Sequence, residues 1–417
     1  MKKMRSVVLF FALVLCLTCA SSMDTQAAVK LSKSSLSLLE GQSATLKLTG
    51  TKKKVKWKSD DKTVATVTSK GKVTAKAPGN AVISATAGKT TKKCKVTVSV
   101  NYANSYEYQV KYGKVTINKL LRISEADLVI PETIEGYPVT DLADGLFKDC
   151  DGLVSITLPA SITKIGDNTF YGCHMLREVK GGGTITSIGS YAFYECNVLE
   201  TFPDLSHADS IGDYAFFNCD AIASFSKLPL SLKSLGSYAF SDCDGLLTFY
   251  GSDLLTSVGD GAFKGCDKLM SVGGCKNVQT IGSECYKDCK NLSNVSLGNK
   301  VTTLGFGCFS GCEKLGFITM PGTITAIPDH CFYNCYALSN VTVPTGVTKI
   351  GNMAFFNCIG LRILTFPGTG ITSIAADSFA GNVLKNVNIY YFSSTPKKYI
   401  DNWVEGLGLD PAQIHTL

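Results

Sequence analysis

The chain has 417 residues, with 41 Lys and Arg against 34 Asp and Glu, only 4 His, and 17 Cys. Apolar residues make up an ordinary 45% while charged residues fall to 18%, which excludes wholesale disorder, a collagen-like chain and a coiled coil. A chain of this length can bury the cores of two or more domains.

At the amino terminus, Lys2, Lys3 and Arg5 precede an apolar run from Val7 to Ala20. Thr25-Gln26-Ala27 then places small residues where a signal peptidase reads. Residues 1–27 are therefore expected to be an export signal and the mature protein to be extracellular or at the cell surface. The apolar run is short of the roughly 20 residues that span a bilayer, so no membrane-spanning segment is expected. Leu15 and Thr18 precede Cys16 and Cys19, where a lipobox would have a small residue.

Charge divides the mature chain near residue 100. Residues 28–100 hold 16 Lys against Glu40, Asp60 and Asp61, a net of +13, whereas residues 101–417 carry 22 basic against 30 acidic residues, a net of −8. Two modules with different partners are the expectation.

The basic module, residues 28–100, reads as seven short strands: 36–38, 44–48, 55–58, 64–68, 73–75, 81–86 and 95–100. In the last, Cys94, Val96, Val98 and Val100 alternate with Lys93, Lys95, Thr97 and Ser99, as in a strand buried on one face. A small β-sandwich accommodates this pattern. Trp57 and Ser59, Val64 to Val67, Gly71 to Ala75, and Gly79, Ala81 and Ile83 reproduce the motifs of the bacterial Ig-like group 2 domain, which the module closely resembles. Trp57 is expected in the core. Sixteen lysines must decorate the surface, and Lys52, Lys53, Lys54, Lys56, Lys92 and Lys93 are candidates for contact with anionic cell-wall polymers. No aromatic residues interleave with them, and export removes the chain from nucleic acid, so nucleic acid is not an expected partner.

From residue 150 the cysteines set a rhythm. Cys150, Cys173, Cys196, Cys219, Cys243, Cys266, Cys289, Cys312, Cys335 and Cys358 recur every 23 residues with a single gap of 24. Each sits in a unit of the form I-G-x-x-A-F-x-x-C-x-x-L-x-x-V, for example Ile188, Gly189, Ala192, Phe193, Cys196, Leu199 and Phe202. An eleventh copy, around Ile374 and Phe379, has Asn382 in place of the cysteine. This period lies in the leucine-rich-repeat range of 20 to 29 residues, in which each coil supplies a short strand and a return segment and stacking buries a continuous core. The A-F-x-x-C signature resembles the BspA-like leucine-rich repeats of bacterial surface proteins. The expected fold is mainly β with short helical or irregular return segments: a small Ig-like sandwich, then a solenoid of about eleven coils over 142–390. Residues 101–141 would cap the amino end, and 391–417 the carboxyl end, where Thr395–Leu407 reads as a short amphipathic helix.

Fifteen cysteines follow the signal. Equivalent residues in adjacent coils sit about 5 Å apart with parallel Cβ vectors, so a ladder of buried thiols is expected rather than disulfides. Cys285, Cys308 and Cys331 replace the motif alanine in three successive coils, beside His330. Packing rather than a metal is expected there, since Ala to Cys is a small change at a buried position and the zinc signal of C-x-x-C pairs is absent from this patch. The four histidines share no motif, no catalytic signature occurs, and neither a cofactor nor enzymatic activity is expected.

Outward positions two and four after each repeat leucine, from Ser155 and Thr157 to Asn386 and Asn388, are mostly small and neutral. Tyr250, Phe317 and Ile363 depart from this, with Asn294, Thr319 and Asn340 as polar neighbours, and these six form the candidate ligand contact. The resemblance implies adhesion to or recognition of an extracellular protein or glycan. The alternative is a non-catalytic wall protein held by its lysine-rich module.

Overall fold

The computed structural model describes residues 28–121, 126–224, 230–368, 370–382, 386–391 and 410–417. The export signal and the expected helix at Thr395–Leu407 lie outside the described residues. The chain divides into a unit ending at Asn101 and a second from Tyr102 to Leu417.

In the first unit the strands Ser35–Leu39, Thr90–Ser99, Gly79–Ala87 and Lys56–Ser59 form one sheet, and Ser43–Thr45, Lys72–Ala75 and Ala65–Val67 a second. Lys30–Leu31 pairs with Leu48–Thr49 in addition, a short pair that the sequence does not announce. Leu36, Leu38, Val73, Ile83, Cys94, Val96 and Val98 fill the space between the sheets, and Trp57 packs half-buried against them. Gly71 of the G-K-V-T-A motif has φ +81°, and a Cβ there would lie 2.4 Å from the Leu46 carbonyl and 2.8 Å from the Trp57 ring. Only glycine fits such a contact.

The second unit opens with the antiparallel hairpin Tyr106–Lys111 and Lys114–Leu120. Tyr112 and Gly113 at its tip both have positive φ, as a two-residue primed turn requires. Glu135-Gly136 repeats the device between Thr133–Ile134 and Tyr137–Leu142.

Most of the described coils then add one short strand to a parallel row. Asp127–Val129, Ser155–Leu158 and Glu178–Gly181 lie side by side, as do Thr248–Tyr250, Ser271–Gly273 and Asn294–Val295, and Asn340–Thr342, Ile363–Phe366, Asn388–Tyr391 and Ile414–Thr416. Single bridges at Glu178–Thr201 and Phe317–Asn340 continue the row. The last coil is displaced from the sequence expectation by two residues, because Ile363 pairs with Asn388 and Thr365 with Tyr390. Tyr390, not Asn386, therefore stands in the outward row.

The return segments carry turns and a second set of parallel strands only two residues long, such as Lys164–Ile165, Ser187–Ile188, Ser210–Ile211 and Thr280–Ile281. Tyr102–Asn104 and Pro411–Gln413 are short 3₁₀ turns. Two residues per coil sit in left-handed backbone, for example Tyr191 and Glu195, or Tyr214 and Asn218, and this stops a helix from continuing. Turn geometry does not account for the glycine of the Ile-Gly pairs. Gly189, Gly212, Gly236, Gly259 and Gly282 do not have left-handed φ, but an added Cβ would come 2.4 to 2.7 Å from the backbone or side chain of the preceding coil. Close coil-to-coil approach favours glycine at these five places, whereas Pro328 and Ala375 hold the equivalent position in two later coils.

The core is a set of stacked columns. Phe147, Phe170, Phe193, Phe216, Phe240, Phe263, Tyr286, Phe309, Phe332, Phe355 and Phe379 form one file, with successive ring centres 5.0 to 5.8 Å apart and planes within 14° of parallel. The cysteines form another. Cys196 Sγ donates to the Phe170 carbonyl at 3.1 Å, Cys219 to Phe193 at 3.1 Å, Cys266 to Phe240 at 3.0 Å and Cys289 to Phe263 at 3.0 Å, and the pattern runs on to Cys358 and Phe332 at 3.1 Å. Asn382 makes the same bond from Nδ2 to the Phe355 carbonyl at 2.8 Å. The periodic cysteine is thus a buried donor that ties each coil to the one before it, and all fifteen described cysteines are free thiols.

Candidate recognition surfaces

The outward face of the strand row is built from alternating residues: Ile156, Val179, Phe249, Val272 and Val341 point into the core, and their neighbours point out. Phe317 is 63% exposed and Tyr250 37%, while Ile363 is only half-buried. Asn294, Thr319 and Asn340 are all exposed. Phe317, Asn340 and Ile363 occupy one register row on three successive coils. Tyr250 lies in the other row, opposite Gly273, and its hydroxyl shares a 2.9 Å hydrogen bond with Ser271 Oγ. Three strand spacings, roughly 15 Å, separate it along the row from Phe317. Phe317 and Ile363 thus flank Asn340 in one row, about 10 Å apart, and Tyr250 stands separately.

The six candidate lysines do not share one surface. Register places Lys58 opposite Ser84 and Ser84 opposite Lys93, Lys56 opposite Thr86, and Lys95 opposite Val82. Opposed residues share a face, so Lys56, Lys58, Lys93 and Lys95 stand together on the solvent side of the sheet. Lys92 pairs with buried Ala85 and points to the other side. Lys53 lies beside the turn at Gly88, where an added Cβ would touch its side chain, and Lys54 joins Lys47, Lys70 and Trp57 around a shallow groove. Lys58 and Lys95 are missing from the sequence-derived set, although their period-2 position relative to Lys56 and Lys93 marks them.

Sequence reasoning also misses the surface of the return turns. Tyr171, Tyr194 and Phe217 stack at 4.7 and 4.9 Å, and beside them Tyr191, Tyr214 and Tyr238 stack at 5.0 and 4.9 Å. Lys148 sits 4.6 Å above the Tyr171 ring. Burial, the largest cause, and neighbouring tyrosines raise the pKa of Tyr194 and Tyr214. The file changes character toward the carboxyl end, where Glu284 accepts from Lys264 at 2.7 Å and Lys287 at 2.9 Å. Burial acts most strongly on Glu284 and opposes its ionisation, but the hydrogen bonds and charges of the two lysines outweigh it, so its pKa is lowered. The signal for this surface was the recurrence of Tyr two residues after the Ile-Gly pair and of Tyr or Phe directly after the motif phenylalanine.

Cys285, Cys308 and Cys331 are fully buried. Burial raises the pKa of Cys285 and Cys308 well above that of an ordinary thiol. Among the described residues no group of three or more His, Cys, Asp or Glu could hold a metal ion. The histidines stand apart: His174 meets Asp151 at 2.7 Å, His207 meets Ser206, and His415 meets Asn388. Among the described residues no helix is long and apolar enough to cross a membrane.

A β-sandwich followed by a parallel spiral of 23-residue coils, with buried Leu, Phe and Cys columns and a solvent-facing strand row, defines an Ig-like module joined to a leucine-rich-repeat solenoid. Residues 140–270 and 279–400 match the BspA type leucine rich repeat region, and residues 27–98 match the bacterial Ig-like domain (group 2). The chain belongs to the BspA-type leucine-rich-repeat family. Among solved structures it is similar to a leucine rich cell surface protein from Faecalibacterium prausnitzii, at 22% identity over 71% of this chain and 95% of the other, TM-score 0.42. A leucine-rich repeat protein from Bacteroides ovatus shares 19% identity over 75% and 98%, TM-score 0.45. The leucine-rich repeat protein of T. pallidum shares 27% over 51% and 89%, TM-score 0.38. No curated protein matches the chain significantly.

Proposed function

We propose that this is an exported, cell-surface recognition protein that binds an extracellular protein or glycan through the outward strand row of its solenoid, without catalysing a reaction. The observation that carries this reading is Phe317, an aromatic ring 63% exposed on a strand row whose outward side chains are mostly small and neutral. Exposed aromatic residues anchor interfaces, and loss of a true anchor costs about 2 kcal/mol or more, roughly thirtyfold in affinity. Asn294, Thr319, Asn340 and Ile363 would surround the anchor and exclude water, with Tyr250 as a second point of contact. A protein or glycan array probed with the mature chain, and again with Phe317→Ser and Tyr250→Ser, tests the assignment. Weakened binding is expected, at an unchanged melting temperature for Phe317→Ser and a slightly lowered one for Tyr250→Ser, which loses the hydrogen bond to Ser271, and unchanged affinity would remove these residues from the site.

A second reading is favoured by the row of Lys56, Lys58, Lys93 and Lys95 on one sheet face. Such a face attracts anionic wall polymers, and the Ig-like module would then hold the chain at the wall while the solenoid extends from it. Pull-down on purified cell wall at rising salt separates the two readings, because attraction between exposed charges is screened within about 10 Å at 0.1 M salt.

A further inference from the structure

The left-handed position two residues after the Ile-Gly pair is occupied along the spiral by Asn168, Tyr191, Tyr214, Tyr238, Gly261, Glu284, Gly307, His330 and Met353. The two interior glycines differ. A Cβ on Gly261 would fall 2.3 Å from the ring of Tyr238, which lies over it. A Cβ on Gly307 would meet nothing closer than 3.7 Å, with Glu284 and His330 both 3.9 Å away. The space left beside Gly307 is a cleft of about 200 Å³ lined by Glu284, Lys287, Phe306, Ser310, His330 and Tyr333.

Its walls combine two chemistries. Phe306, 46% exposed, lies 5.0 Å from the His330 ring at 47°, and His330 lies 5.4 Å from Tyr333. Facing these rings is the Glu284–Lys287 pair at 2.9 Å, which presents an acceptor and a donor side by side. Nδ1 of His330 is buried, so it is the ring face rather than this nitrogen that borders the cleft. A ligand suited to this cleft has one apolar face, several small groups that both donate and accept, and the size of a single ring, since the volume falls below the roughly 300 Å³ at which larger ligand pockets begin. We infer that the cleft beside Gly307 binds one pyranose ring, the terminal sugar of a glycan, with Phe306 under its C–H face and Glu284 and Lys287 on its hydroxyls. This site lies on the return turns, apart from the strand row, and does not depend on the recognition role given to Phe317.

The test is saturation-transfer NMR on the mature chain with the methyl pyranosides of glucose, galactose, mannose and N-acetylglucosamine, and with acetate as a small-anion probe. Saturable millimolar binding of at least one sugar is expected. Phe306→Ser should weaken it at least tenfold by removing the platform, and Gly307→Asn should abolish it by filling the cleft. Asn is compatible with that backbone, since Asn168 holds the same position at φ 55° against 56° for Gly307. Phe306 is exposed, so the Ser variant keeps the test open should the Asn variant fold poorly. The Phe317→Ser and Tyr250→Ser variants should bind the sugar as the wild type does, which separates failure of this site from failure of the strand-row reading. Absence of saturable binding by any of the sugars, binding retained in both cleft variants, or saturable binding of acetate instead of a sugar would overturn the inference.

Discussion

Replacing one cysteine of the ladder separates two physical roles for it. Cys289 is fully buried, and its Sγ donates to the Phe263 carbonyl at 3.0 Å, a carbonyl that also accepts the Cys266 N–H at 3.2 Å. Cys289→Ala removes one donor, about 1 kcal/mol, and leaves a sulfur-sized void in a close-packed stack, about 1 to 2 kcal/mol more. The expected loss is thus about 2 to 3 kcal/mol. Cys289→Ser keeps a donor within reach of the same carbonyl, so its loss should be no greater than that of alanine. A thiol acting only as a small hydrophobe predicts the reverse order, because a buried hydroxyl without a role is costly. Urea unfolding of the three proteins, with slopes compared to confirm that the cooperative unit is unchanged, gives the order directly. Serine clearly less stable than alanine would refute the hydrogen-bond role.

Ladder thiols in the intact protein should not react with a disulfide reagent at neutral pH. Burial pushes Cys173 and Cys358 up to about 12 and half-buried Cys275 to about 11, while the fifteen thiols of residues 28–417 should all appear on unfolding; several reactive native thiols would contradict the packing. Gly71→Ala should cost about 3 kcal/mol and unfold the Ig-like module first, since its left-handed φ and its contact with the Leu46 carbonyl both resist a Cβ. A change below about 0.5 kcal/mol, typical of a neutral surface site, would disprove that. Because the Glu284 pKa is lowered in the folded protein, its pairing with Lys264 and Lys287 stabilises above the ordinary value of 4.5 and is lost as pH falls through the folded value. The melting-temperature gap between wild type and Glu284→Gln should therefore shrink on acidification, and a gap independent of pH would exclude the ion pair as its source.

The solenoid was legible because its cysteines count coils: a donor that must meet the preceding carbonyl has to recur at the coil length, and a phenylalanine that must stack on its predecessor recurs with it. The small strands at Ser187–Ile188 and Thr280–Ile281 were not legible, because two residues are too few to show a period of 2 and their pairing depends wholly on the next coil. The shift at Asn388 escaped for a related reason, since the cysteine that marks the register is absent from that coil. Tyr191, Tyr214 and Tyr238 stand at positions that the repeat leaves free, so their stacking is a property of the spiral and not of any single unit. The lysine face was half legible, as Lys56 and Lys93 were singled out while Lys58 and Lys95, in the same alternation, were passed over. The grouping of Phe317 with Ile363, and the separation of Tyr250, needed the strand register.

The central claim is that the strand row recognises a partner, and the most direct measurement is binding of the mature chain to arrayed extracellular-matrix proteins and glycans across a range of salt. The wild type should be compared with a Phe317→Ser/Tyr250→Ser variant and with one in which Lys56, Lys58, Lys93 and Lys95 are replaced by Ser. Saturable binding to one class of target, weakened roughly thirtyfold or more in the aromatic variant and little changed by salt or by loss of the lysines, is the predicted result. Binding that ignores the aromatic substitutions, falls steeply with salt and disappears with the lysines would contradict it and make the solenoid a stalk.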